Sequence, residues 1–177
     1  MALVGAGADT EAKDYRGRTP LHLAAHKDLK EVSLALLRAG AAVDAENEDG
    51  DTPLHCAAVL GYAAVAEQLL AAGAAVEAKD KYGSTPLYQA AQGGRAAVVE
   101  LLLAAGADGA AAAYDGSTPR SIAKGDGVMA MLVSAQRLRS IAFAMGLQER
   151  LGAASVVRGL DPDLLRMVVV LMYPPVE

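Results

Sequence analysis

The chain has 177 residues, a single cysteine, one phenylalanine, no tryptophan and a net charge of −5. A lone cysteine excludes an internal disulfide and so a disulfide-framed secreted fold. The charge is −6 over residues 1–112 and +1 over 113–177, so neither part carries the basic footprint of a nucleic-acid or anionic-membrane binder.

Hydrophobic residues make up 53% of the chain, and many of them are alanine. A core of Ala, Leu and Val suits closely packed helices better than aromatic strands. The N-terminus lacks a basic segment followed by a sustained apolar one, so no signal peptide is visible. The late apolar run at residues 167–173 is too short to span a bilayer. The expected compartment is intracellular, cytoplasmic or nuclear.

Thr-Pro pairs at Thr19-Pro20, Thr52-Pro53, Thr85-Pro86 and Thr118-Pro119 are spaced by 33 residues each. A fixed period of this size signals a repeat architecture. The first segment, residues 1–13, aligns with the end of a later copy: residues 3–14 match 69–80. The chain therefore starts at the close of an incomplete repeat. A missing cap predicts fraying, or self-association through the exposed face of the first helices.

Full copies follow at 14–46, 47–79 and 80–112. Each opens with turn residues at 14–17, 47–50 and 80–83, which predict a tight projecting loop, or finger. Thr then caps a helix and Pro fills its first position, where a missing N–H is harmless. The helices expected are Pro20–His26, Pro53–Leu60 and Pro86–Gln92. Their Ala24-Ala25, Ala57-Ala58 and Ala90-Ala91 pairs allow close approach of a neighbour. The chain turns at Gly61 and Gly94 with positive φ, and Asp28 takes that place in the first copy. A second helix carries an apolar stripe: Val32, Leu36, Leu37, then Val65, Leu69, Leu70, then Val98, Leu102, Leu103. Gly40, Gly73 and Gly106 end these helices. One unit cannot cover its own stripe, so the copies must stack.

At this point the chain resembles a known family. "TPLHLAA", "TPLHCAA" and "TPLYQAA", with "AAGA" endings, are similar to ankyrin repeats over roughly residues 1–125. The resemblance implies an all-α ankyrin-repeat solenoid with a concave face formed by fingers and first helices. It implies a non-catalytic protein–protein interaction scaffold that uses this face. It also implies that His22 and His55 bond the capping Thr and the neighbouring finger's backbone.

The fourth copy, 113–137, decays. Arg120 replaces Leu21, Leu54 and Leu87, which predicts a solvent-facing position and the end of the stack. Residues 129–143 read as a long helix. A helical extension, 138–177, is expected to pack back on the last repeat and to include a helix capped by Asp161 and started by Pro162. In layout this tail is similar to that of ankyrin–SOCS-box proteins. That resemblance implies an alternative role as substrate-receptor adaptor of an elongin–cullin ubiquitin ligase. The tail lacks the cysteine of that family's elongin-binding motif, and Leu160-Asp161-Pro162-Asp163 stands in for its Leu-Pro element.

No catalytic, metal or cofactor site is expected. His22 and His26 are four apart, but zinc needs three or four ligands, and Leu23 stands where a zincin helix needs Glu. Cys56 is read as a small helix residue with no base or orienting group. The glycines near Gly5 and Gly7 lack a phosphate-loop context. The carboxylates Glu11, Asp14, Glu77 and Asp80 read as a hydrated finger surface.

What varies between copies is the candidate partner-binding surface. The fingers supply Tyr15, Arg16, Arg18; Glu48, Asp49, Asp51; Lys81, Tyr82, Ser84; and Tyr114, Asp115, Ser117. The first helices supply His26, Lys27; Val59, Leu60; and Gln92, with Glu46 and Lys79 just before their fingers. The second finger reads as acidic between basic neighbours, with Tyr15, Tyr82 and Tyr114 at matching register as anchors.

Overall fold

The computed structural model describes residues 9–151. The start of the incomplete first repeat and the tail beyond residue 151, where a helix capped by Asp161 is expected from the sequence, lie outside the described residues.

Among the described residues eight helices run in chain order: α1 (Pro20–His26), α2 (Lys30–Arg38), α3 (Pro53–Leu60), α4 (Ala63–Ala71), α5 (Pro86–Gln92), α6 (Ala96–Ala104), α7 (Pro119–Ile122) and α8 (Asp126–Leu151). The first helices of successive repeats stack as α1, α3, α5 and α7, and the second helices as α2, α4 and α6. Packing divides the chain into two compact units at 136/137. The first holds the repeats, and the described residues of the second belong to the end of α8.

The local chemistry sets the helix ends. Each Thr-Pro starts a first helix, as expected. Each second helix closes in a Schellman motif. Ala41 donates to Leu36 at 3.0 Å and Gly40 to Leu37 at 3.1 Å, and the pattern recurs at Gly73 and Gly106. The intervening turns use φ of +84° at Gly61, +67° at Gly94 and +52° at Asp28. Asp28 is the only non-glycine in that region among the described residues, and its buried Oδ1 has no partner.

The core repeats with the sequence. Leu21, Leu54 and Leu87 are wholly buried on the first helices, as are Leu69 and Leu102 on the second. Full burial of each such side chain stabilises by about 1.5–3 kcal/mol. The alanine pairs at 24-25, 57-58 and 90-91 are buried between adjacent first helices.

The apolar stripe is not uniform. Val65 and Val98 are fully buried, but Val32 is 42% exposed. Among the described residues no helix pair precedes α1 and α2 to cover it. The fourth repeat departs further. Arg120 is exposed, and α7 has only four residues. Helix α8 begins three residues before the expected start at 129, after Gly125 turns the chain at φ +90°. It buries Val128 and Leu132 rather than the register equivalents of Val98 and Leu102.

Candidate functional site

The fingers share one frame. In the third, Asp80 N–H donates to the Ser84 carbonyl at 3.1 Å and Gly83 N–H to the Asp80 carbonyl at 2.9 Å. The Asp80 carboxylate accepts from the backbone of Tyr82 and Ser84, both at 2.8 Å. Asp14 and Asn47 do the same in their fingers. Asp14 also pairs with Arg18 at 2.7 Å, and that hydrogen bond holds its pKa at about 2. Asp80 is therefore a buried turn-former and not a hydrated surface carboxylate, which corrects the sequence reading.

Adjacent fingers bond tip to tip. Glu48 N–H donates to the Arg16 carbonyl at 3.1 Å, Lys81 to Asp49 at 2.9 Å and Tyr114 to Tyr82 at 2.9 Å. Carboxylates form a second ladder at the far ends of the repeats. Glu11 accepts from Ala42 N–H, Asp44 from Ala75 and Glu77 from Asp108.

The buried histidines tie helix to finger. Nδ1 of His22 accepts from Thr19 N–H at 3.2 Å, and Nε2 lies 2.9 Å from the Asp51 carbonyl. A carbonyl only accepts, so Nε2 carries the proton and the ring is neutral. His55 repeats this with Thr52 at 3.1 Å and the Ser84 carbonyl at 3.1 Å. Both His22 nitrogens are thus committed within the scaffold. His26 is exposed at the end of α1. In the third repeat Tyr88 takes the histidine's place, and its hydroxyl meets Ser117 Oγ at 2.9 Å.

Burial lowers the pKa of both His22 and His55 below 6.5. The unfolded chain then binds more protons than the folded one as pH falls through about 6.5. Stability is expected to be full above that value and to decline below it, before the carboxylates titrate. Urea unfolding at pH 7 and about pH 5 checks this, and equal midpoints would refute it.

An open groove of about 880 Å³ lies between the second, third and fourth fingers and helices α3 and α5. It collects Asp49, Asp51, Val59, Lys81, Tyr82, Ser84, Gln92, Tyr114 and Asp115 from the expected binding residues. Tyr15, Arg16, Arg18, His26, Lys27, Glu48 and Leu60 are not in its lining. Tyr82 and Tyr114 are 64% and 73% exposed. Lys81 Nζ lies 5.1 Å from the Tyr82 ring centre, and Lys79 Nζ 5.9 Å from that of Tyr114.

Two expectations about these residues change. Ser84 is buried rather than exposed, because its carbonyl accepts from His55 and its N–H donates to Asp80. The tyrosines do not all share a register: Tyr15 and Tyr114 align with Glu48 and Lys81, whereas Tyr82 aligns with Arg16 and Asp49.

Four lining residues lie outside the expected set: Asp80, Tyr88, Gln89 and Ala113. Asp80 reads from the sequence as a solvent carboxylate. Tyr88 and Gln89 sit where other repeats carry His and Leu23 or Cys56, and that double departure in "TPLYQAA" was the available signal. Gln89 Nε2 donates to Asp51 Oδ1 at 3.1 Å and to Asp80 Oδ2 at 3.0 Å, so one amide bridges two fingers' carboxylates. Four aspartates face the groove against one lysine, Lys81. Lys81 is ion-paired with Asp49, and that bond lowers the Asp49 pKa. The Ser117 hydroxyl lowers that of Asp115. Cys56 is not among the lining residues, and burial pushes its thiol up to about 12.

A family model for ankyrin repeats (3 copies) matches residues 1–80 and 34–113. The chain belongs to the ankyrin-repeat family. No curated protein matches it significantly. Ankyrin repeats are in general protein–protein interaction modules and typically non-catalytic. Among the described residues, no helix of this ankyrin-repeat chain is long and apolar enough to cross a membrane. Residues 160–163, which carry the SOCS-like resemblance, lie outside those described.

Proposed function

We propose that this ankyrin array is a non-catalytic scaffold that binds a partner protein through the groove between its second, third and fourth fingers. One observation carries the reading. The side chains repeated between copies are consumed in holding the frame, while nine that differ between copies converge on one open groove. The frame is cross-linked at finger tips, histidines and far ends, so the face is presented with little ordering cost on binding. Tyr82 and Tyr114 supply exposed aromatic area of the kind that anchors interfaces. The acidic lining disfavours nucleic acid.

Replacing Tyr82 and Tyr114 together by alanine is expected to weaken a captured partner by about thirtyfold or more. The helical circular dichroism signal should be unchanged, because neither ring is in the core. A partner that binds the double variant with unaltered affinity would refute the groove assignment.

A further inference from the structure

We propose that the groove seats a basic side chain, arginine or lysine, of the partner protein, between the Tyr82 ring and a floor made by Asp51, Ser84 and Gln89. The inference rests on the groove reading above and specifies the chemistry of its occupant.

The floor is rich in acceptors and poor in donors. Gln89 spends its amide N–H groups on Asp51 and Asp80, which leaves its Oε1 as an acceptor. Asp51 gives one carboxylate oxygen to Gln89, and among the described residues no protein donor reaches the other. Ser84 is only 7% exposed and lines the groove. Its backbone is fully engaged, yet among the described residues its hydroxyl makes no hydrogen bond. The hydroxyl opens on the groove, where an occupant can pair with it.

Charge points the same way. The Asp49 carboxylate is already matched by Lys81, and both Asp80 oxygens are used inside the protein. Among the described residues Asp51 and Asp115 have no counter-ion, and Asp115 is engaged only by Ser117. An acidic segment would meet uncompensated negative charge. A guanidinium or ammonium group brings several donors and a positive charge to waiting acceptors. Lys81 meets the Tyr82 ring at 5.1 Å, and the ring's large exposed remainder offers apolar area to the stem of the partner's basic side chain.

Two substitutions separate this seat from the scaffold. Asp51→Asn removes the charge and keeps an oxygen for Gln89, and the Asp51 backbone continues to serve His22 and Asn47. Ser84→Ala removes only a hydroxyl with no structural bond.

Random peptides displayed on phage, selected on the full chain, provide the probe. The expected result is enrichment of arginine or lysine at one shared position. The selected peptides should bind Asp51→Asn about tenfold more weakly, with a smaller loss for Ser84→Ala. Enriched peptides without a shared basic residue that are lost on Tyr82→Ala would overturn the seat and leave the groove reading standing. So would basic peptides indifferent to both floor substitutions but lost on Tyr82→Ala. Selection that yields only peptides indifferent to Tyr82, or none at all, would overturn both.

Discussion

Replacing His55 with alanine is expected to cost about 3–5 kcal/mol of stability. The side chain is wholly buried, so its loss leaves a cavity. It also strips Thr52 N–H of its partner and takes one of two donors from the Ser84 carbonyl, 29 residues away from His55, which keeps only Asp80 N–H. Leaving buried polar groups unpaired costs more than the net worth of the bonds. The structure supplies its own control. Tyr88 occupies this register in the next repeat and reaches Ser117 Oγ, and Ser84 stands at the register of Ser117. His55→Tyr is therefore expected to retain much of the stability that His55→Ala loses. Urea unfolding followed by circular dichroism compares the two. Equal losses would refute the equivalence of histidine and tyrosine at this register.

The same residue shows what was legible in the sequence. A histidine rebuilt at a fixed spacing reads as scaffold, whereas His26, replaced by Val59 and Gln92, reads as surface. Helix ends were legible because Thr-Pro and Gly act through local backbone chemistry, independent of what packs nearby. The three first helices match their expected limits for this reason. The exposure of Arg120 was equally legible, since an unpaired charge at a buried leucine register turns to solvent.

Groove membership was not legible in this way. It depends on how one finger hangs beside the next, which arises from stacking and not from any single repeat. Leu60 is among the expected contacts, yet it is half-buried at the end of α3 outside the lining, while its neighbour Val59 faces the groove. Gln89 was hidden for a related reason. Its two partners lie 38 and 9 residues away, so no local pattern marks it as a bridge. The carboxylate ladder of Glu11, Asp44 and Glu77 did carry a signal, an acid at three successive copies of one register, ending at Ala110. It reads as a solvated surface until the backbone N–H of the following repeat is placed beside it.

Gly50→Ala is expected to be the most damaging of the glycine substitutions between fingers, at about 2–4 kcal/mol. Gly50 has φ +76°, where alanine is strained by itself. The added Cβ would also meet the Lys81 nitrogen at 3.0 Å and the Asp80 Cα at 3.2 Å. These are backbone atoms of the next finger and cannot rotate away. Relief requires the two fingers to part, which breaks the Lys81 to Asp49 backbone bond and the adjoining side-chain ion pair. Gly106→Ala isolates the conformational part. Its φ is +94° and nothing lies within 4 Å of the added Cβ, so about 1 kcal/mol is expected. Denaturation of both variants gives the difference, and equal losses would refute close finger contact as the cause. The two should also differ in binding. Parting the second and third fingers displaces Asp49 and Asp51 from Lys81, Ser84 and Gln89, so Gly50→Ala removes the groove, whereas Gly106→Ala leaves it intact.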